Sequence, residues 1–191
     1  MAYTGSYEGF TVLVYTPEGQ HLKSCIISKH DRDAQRIELR DLMPEVLNID
    51  DICPLLIIKG SSPREYQGRV AKWGADLVFL LFRGRDKESR TARRYRVDFA
   101  GNIDSLFREG IAYPLFEPLP VQALNISKGG LRFAAPPDTL STGDEILINL
   151  KIENRDKQFH VHVLNVFERT LEDGIRCEYG CQLVGAHSDD E

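Results

Sequence analysis

Glu145-Ile146-Leu147-Ile148-Asn149-Leu150-Lys151-Ile152 sets apolar side chains at 146, 148, 150 and 152, with polar ones at 145, 149 and 151. Successive side chains of a strand point to opposite faces, so this period of two puts one face on a core and the other in water. Short runs of similar character lie around it: Arg96-Val97-Asp98-Phe99, Val121-Gln122-Ala123-Leu124, Gly130-Leu131-Arg132-Phe133, Gln158 to Phe167 and Cys177 to Val184. Short strands punctuated by turns suit a closed antiparallel barrel. Asn102 to Pro120 resists assignment, because Pro114, Pro118 and Pro120 each remove a backbone donor and break a long element.

The first 82 residues are also β-rich. Phe10-Thr11-Val12-Leu13-Val14-Tyr15 leads into a Pro17-Glu18-Gly19 turn, then Leu22 to Ser28 and Arg36 to Leu39. Cys53 to Lys59, Tyr66 to Trp73 and Asp76 to Phe82 follow, with apolar runs long enough for strands buried on both faces or for a small closed barrel. Only Asp41 to Asn48 reads as a helical turn. The sequence therefore predicts an all-β protein of two small antiparallel barrels, residues 1–85 and 97–191, joined by an arginine-rich linker over 86–96.

Composition narrows the function classes. The chain has 191 residues, 42% hydrophobic and 28% charged, the profile of an ordinary globular protein. No apolar run approaches the roughly 18 residues a bilayer-spanning helix needs. The N-terminus, Met1-Ala2-Tyr3-Thr4-Gly5-Ser6-Tyr7-Glu8, carries neither a basic nor an apolar leader region, so a cytoplasmic location is the expectation. A net charge of −5 argues against DNA as a partner, yet residues 83–96 hold seven Arg or Lys against two acids. Cys25, Cys53, Cys177 and Cys181 are spaced wrongly for a zinc ribbon and read as reduced, buried thiols.

Two features carry chemistry: the cluster Arg90-Thr91-Ala92-Arg93-Arg94-Tyr95-Arg96 opening the second strand set, and the turn Asn125-Ile126-Ser127-Lys128-Gly129-Gly130 about thirty residues later. Alone, the first reads as a solvated segment and the second as a turn using local Asx and Ser hydrogen bonds. In this order and spacing they resemble the signature of the PilZ domain family, RxxxR followed by (D/N)xSxxG. Arg90 and Arg94 match the first half, with Arg93 or Arg96 as substitutes in another register; Asn125, Ser127 and Gly130 match the second. The resemblance runs through Gly143-Asp144 to Tyr179-Gly180-Cys181-Gln182-Leu183 and covers about residues 90–185. Residues 1–82 look like the split-barrel-like domain that precedes PilZ in flagellar-brake-type members.

The resemblance implies a receptor for cyclic di-GMP, with Arg90, Arg93, Arg94, Arg96, Asn125, Ser127, Gly129 and Gly130 as ligand-binding residues and no metal or other cofactor. It implies a change of inter-domain arrangement on binding, and a downstream protein partner in the flagellar motor or polysaccharide machinery, with motility or biofilm as output. The rival reading is a nucleotide-independent adaptor that binds protein. The chemistry stands without the family: a guanidinium binds phosphate or the guanine O6/N7 edge bidentately and stacks on a base, which an ammonium does less well. Asn125 offers an acceptor and a donor, Ser127 a hydroxyl, and Gly130 a position for φ > 0 or close approach to a ligand.

Other groups have plainer readings. His160 and His162 share a strand face and would chelate a metal only with a third ligand, which the sequence does not supply. Asp50-Asp51, Glu172-Asp173 and Asp189-Asp190 are solubilising charge in turns and a frayed tail. Ser127 lacks the partners of a catalytic serine. Trp73, Phe79 and Phe82 read as core aromatics. No phosphate loop, dinucleotide fingerprint or nucleophile–base pair is present, so the expectation is a protein that is not an enzyme.

Overall fold

A computed structural model describes residues 5–40, 46–72, 76–82, 93–171 and 174–185. Residues 83–92, which include Arg90 and the first part of the expected linker over 86–96, lie outside this set, as do Trp73, Glu172-Asp173 and Asp189-Asp190. The architecture is all-β, and the chain divides into two compact units between residues 91 and 92.

The N-terminal unit contains β1 (Thr11–Tyr15), β2 (His21–Asp31), β3 (Arg36–Leu39), β4 (Ile52–Lys59), β5 (Ser62–Lys72) and β6 (Leu77–Phe82). They form a closed antiparallel barrel in the order β1-β2-β3-β6-β5-β4, with β1 hydrogen-bonded to both β2 and β4. Val12, Val14, Cys25, Ile27, Ile37, Leu39, Leu55, Ile57, Val70 and Phe79 fill the interior. Gly68 faces that interior; a Cβ there would stand 2.5 Å from Leu55 Cδ1 and 2.9 Å from the Phe79 ring, so the fill requires a residue without one. All of β1 and Cys53 to Ile58 of β4 are buried, so Leu13, Leu56 and Ile58 on the second face are as covered as their neighbours. Phe79 is core as expected, whereas Phe82, at the end of β6, is exposed. Of the expected helical turn, Val46 to Asn48 is not helical, and the rest lies outside the described residues.

The C-terminal unit contains β7 (Tyr95–Arg108), β8 (Ile111–Ser127), β9 (Gly130–Ala135), β10 (Glu145–Ile152), β11 (Arg155–Leu171) and β12 (Gly174–Leu183). Its closed order is β10-β11-β12-β9-β8-β7, sealed by antiparallel pairing of β7 with β10. Ile146, Ile148, Leu150 and Ile152 are fully buried, as their alternation requires, and meet Phe133, Phe159, Val161, Val163 and Tyr179 inside. The rings of Phe133 and Tyr179 stack at 5.3 Å. On the outer face Asp104 accepts from both Asn102 and Asn149, and Asn149 accepts from Gln158 at 3.1 Å, a polar ladder over β7, β10 and β11.

The stretch 102–120 is the main departure from the sequence reading. It is a continuous β7–β8 hairpin, broken in register between Ile103 and Ser105. β8 pairs with β9 only from Gln122 onward, so among the described residues Ile111 to Pro120 has β7 alone as neighbouring strand. A strand bonded on one side tolerates proline because an outward N–H is not needed for pairing, which is how Pro114, Pro118 and Pro120 fit inside it. All four cysteines are free and buried.

Candidate functional site

β7 opens at Tyr95, one residue earlier than the periodicity suggested, because Tyr95 is buried and pairs with Ile126. Arg94 therefore stands immediately before the strand, with Arg90 four residues upstream in sequence. Arg93 is exposed, with its guanidinium 5.5 Å from the Tyr95 ring centroid. Arg94 is exposed as well. Carrying the register of Tyr95 with Ile126 one residue outward sets Arg94 opposite Ser127.

Arg96 lies inside β7 between buried Tyr95 and Val97, so its side chain points outward, and it pairs directly with Asn125 of β8. Asn125 is half-buried and, among the described residues, its amide has no hydrogen-bond partner. An Asn so placed keeps its acceptor and both donors for something else. The topology thus brings Arg94 and Arg96 beside Asn125 and Ser127 at one edge of the C-terminal barrel.

The turn is closed by a local Ser hydrogen bond. Ser127 pairs with Gly130 across the two-residue loop Lys128-Gly129, and its hydroxyl donates to the Gly130 carbonyl at 3.2 Å. That hydroxyl is nearly buried and holds the hairpin closed. Neither Gly129 nor Gly130 has a left-handed φ. Gly130 is required for another reason: a Cβ there would lie 2.3 Å from the Cys181 carbonyl oxygen of β12. Gly129 has nothing within 4 Å of a would-be Cβ, so its lack of a side chain leaves an open approach to the backbone.

The outward line does not stop at Asn125. Asn125 pairs with Arg132 of β9, Arg132 with Gly180 of β12, and Gly180 with Asn165 of β11. Arg132 forms an ion pair with Glu178 at 2.5 Å, and its guanidinium sits 4.9 Å from the centroid of the exposed Phe167 ring. Arg169 approaches the same Glu178 carboxylate at 3.9 Å. Sequence reasoning passed over these residues. Arg132 and Glu178 were legible as outward positions, each flanked by buried apolar residues, but which strands sit side by side is not written in the periodicity.

His160 and His162 do share a face, with Glu145 from β10 between them at 3.3 and 3.9 Å. No group of three metal-ligating side chains with metal-site geometry occurs among the described residues. Asp51 accepts the Asn48 N–H at 2.7 Å and Asp50 lies 4.0 Å from Arg69, so this acid pair shapes a turn.

A family model described as PilZ domain matches residues 87–191. Among solved structures, a MrkH–c-di-GMP complex of K. pneumonia is 16% identical, with 95% of this chain and 82% of that one covered, at a TM-score of 0.38. The Bacillus subtilis inhibitor of motility, MotI, is 12% identical, with 96% and 91% covered and a TM-score of 0.36. YcgR of Escherichia coli, in complex with c-di-GMP, is 9% identical, with 94% and 78% covered and a TM-score of 0.38. No curated protein sequence matches the chain. With more than half of its length matched by that model, the chain belongs to the PilZ domain family.

Proposed function

We propose that this protein is a cyclic di-GMP receiver without catalytic activity, binding its ligand at the edge of the C-terminal barrel where Arg94, Arg96 and Asn125 converge. The observation that carries this reading is the strand register. Arg94 stands directly before β7 and Arg96 pairs with Asn125 of β8, so residues about thirty apart in sequence lie side by side. The ligand presents two phosphates and two guanines. Guanidinium groups match both, and the uncommitted Asn125 amide complements a guanine edge. Arg90 joins Arg94 as the cationic pair, with Arg93 beside them, and Gly129 leaves room for backbone contact. Gly130 and Ser127 serve by shaping the turn.

The basic segment 83–92 separates two independently closed barrels. An anionic ligand that engages Arg90 and Arg94 together ties this segment to the C-terminal barrel and so changes how the barrels are disposed. The response passes to a protein partner in motility or polysaccharide and biofilm output, in the cytoplasm. Calorimetric titration with cyclic di-GMP, with GTP and cyclic di-AMP as controls, tests the reading: selective binding at micromolar or tighter affinity supports it, and no heat of binding rejects it.

One observation favours the nucleotide-independent adaptor. Ile111, Tyr113 and Phe116 are exposed along the single-partner part of β8, an apolar edge of the kind that protein partners cover. Partner binding that survives Arg90→Ala plus Arg94→Ala would support that reading.

A further inference from the structure

We infer that two copies of this chain pair through the β7–β8 hairpin, each inserting Phe116-Glu117 into an apolar notch rimmed by Arg176 on the other. The pairing is independent of nucleotide, and it assigns the exposed edge of β8 to a second copy rather than to a different protein. The knob is a feature of the register. Ser105 pairs with Pro114 and Ile103 with Leu119, so Leu115 to Pro118 bulge opposite the single residue Asp104. Phe116, within that bulge, is fully exposed, and Tyr113 and Ile111 are exposed on the same hairpin. Glu117 beside it is exposed and has no ion-pair partner among the described residues.

The notch follows from strand lengths. β9 ends at Ala135, while β8 on one side and β12 on the other run past it, to Ile111 and Gly174. Two strand spacings, about 10 Å, separate β8 from β12 there, with no strand between them among the described residues. An open pocket of about 380 Å³ lies at the foot of this gap, lined by Pro120, Val121, Ala134, Ala135, Ile175 and Arg176 among others. A cavity of roughly 150 Å³ already holds a benzene ring, so a phenyl group fits. The rim calls for an anion. Arg176 pairs directly with Arg169 of β11, and like charges in opposed positions destabilise a sheet unless something neutralises them. The Arg176 Nε is buried without a hydrogen-bond partner among the described residues, and Glu178, two residues on, already engages Arg132 and Arg169. An apolar ring followed by a carboxylate is what this notch lacks, and Phe116-Glu117 supplies it. Knob and notch lie on one strand, four residues apart at Pro120, so a two-fold axis lets each copy give one and receive one, and the assembly closes at two. Phe116, Tyr113, Ile111 and Ile175 leave on the order of 500 Å² of side chain uncovered per copy, enough with a polar rim for a specific dimer. Pro114, Pro118 and Pro120 remove backbone donors from this edge, which disfavours open-ended strand pairing and leaves the contact to side chains.

Sedimentation velocity of the full chain without nucleotide, from about 1 to 100 μM, tests the pairing. Wild type should pass from monomer to dimer in that range. Phe116→Ser should weaken the dimer about tenfold or more and keep its β circular dichroism, because a fully exposed ring contributes nothing to its own barrel. Glu117→Arg and Arg176→Glu should each weaken it by roughly three- to tenfold, and the double variant, with the charges exchanged, should recover most of the loss, which only a direct pairing of these two residues produces. A wild type that stays monomeric throughout overturns the inference and leaves the edge to a different protein. A dimer that tolerates Phe116→Ser and gains nothing from the charge exchange is built on another surface and overturns it equally.

Discussion

In the N-terminal barrel, β1 and β4 bury both faces: Leu55 and Ile57 fill the interior while Leu56 and Ile58 are as completely covered on the other side. In the C-terminal barrel, β9, β10 and β12 place Leu131, Ile148 and Tyr179 inside, while Arg132, Lys151 and Glu178 point out. Strand number, antiparallel pairing and closure are the same in both. The difference lies in what the outward positions carry. A strand that is apolar on both faces has no positions left for ligand chemistry. A strictly alternating one offers a row of them, and pairing lines these rows up across neighbouring strands.

The comparison breaks most visibly at Leu56. Leu56→Ala should cost about 2–5 kcal/mol, as for any buried leucine, whereas Lys151→Ala on the outer face of β10 should change stability by under about 0.5 kcal/mol. Urea unfolding of both variants checks this; equal effects would mean that the outer faces do not differ. Next in size is Arg94→Ala. It should leave the melting temperature unchanged and weaken cyclic di-GMP about thirtyfold, the loss of a charge-assisted contact of about 2 kcal/mol. Binding within twofold of wild type would remove Arg94 from the site. Ser127→Ala should cost about 1 kcal/mol of stability through the lost bond to the Gly130 carbonyl. Unchanged stability with lost ligand binding would instead return the hydroxyl to the ligand.

The smallest effect near neutral pH concerns two of the four thiols, one in each barrel. Burial pushes Cys53 and Cys181 up to about 12, with Asp51 and Glu18 adding to the shift at Cys53. A raised thiol value means that the folded state holds the proton more tightly than the unfolded chain. The stabilising contribution is complete below the ordinary thiol range and is lost as pH climbs from there toward about 12. Denaturation midpoints should accordingly be flat from neutral to mildly alkaline pH and fall above that. A disulfide-exchange reagent at pH 8 should leave both thiols unreacted in the folded protein, and rapid labelling would contradict their burial.

Much of this fold was legible in the amino-acid order, because burial on one face writes a period of two into the sequence. Ile146 to Ile152 gave its inward set without error, and Arg36 to Leu39 is a strand to the residue. The 102–120 stretch was not legible: proline marks the end of a strand bonded on both sides, and nothing local reveals that this one has a single neighbour. Asn125 and the arginines stood out because their residue types and spacing are unusual together. Arg132, Gly180, Asn165 and Phe167 did not, since they become neighbours only through the pairing of β9 with β12 and of β12 with β11. Gly130 stood out as a turn glycine, but it has no left-handed φ, and the Cys181 carbonyl of a distant strand adds a requirement that no local pattern reveals.

The proposed seat of cyclic di-GMP is the outer edge of the C-terminal barrel. A titration of the isotope-labelled full chain followed by amide NMR shifts tests it most directly. Saturable changes should be largest at Arg94, Arg96, Asn125, Ser127 and Gly129, with the interior amides Val12, Leu55 and Phe79 of the N-terminal barrel unmoved. Changes confined to the N-terminal barrel, or no change at saturating ligand, would contradict it.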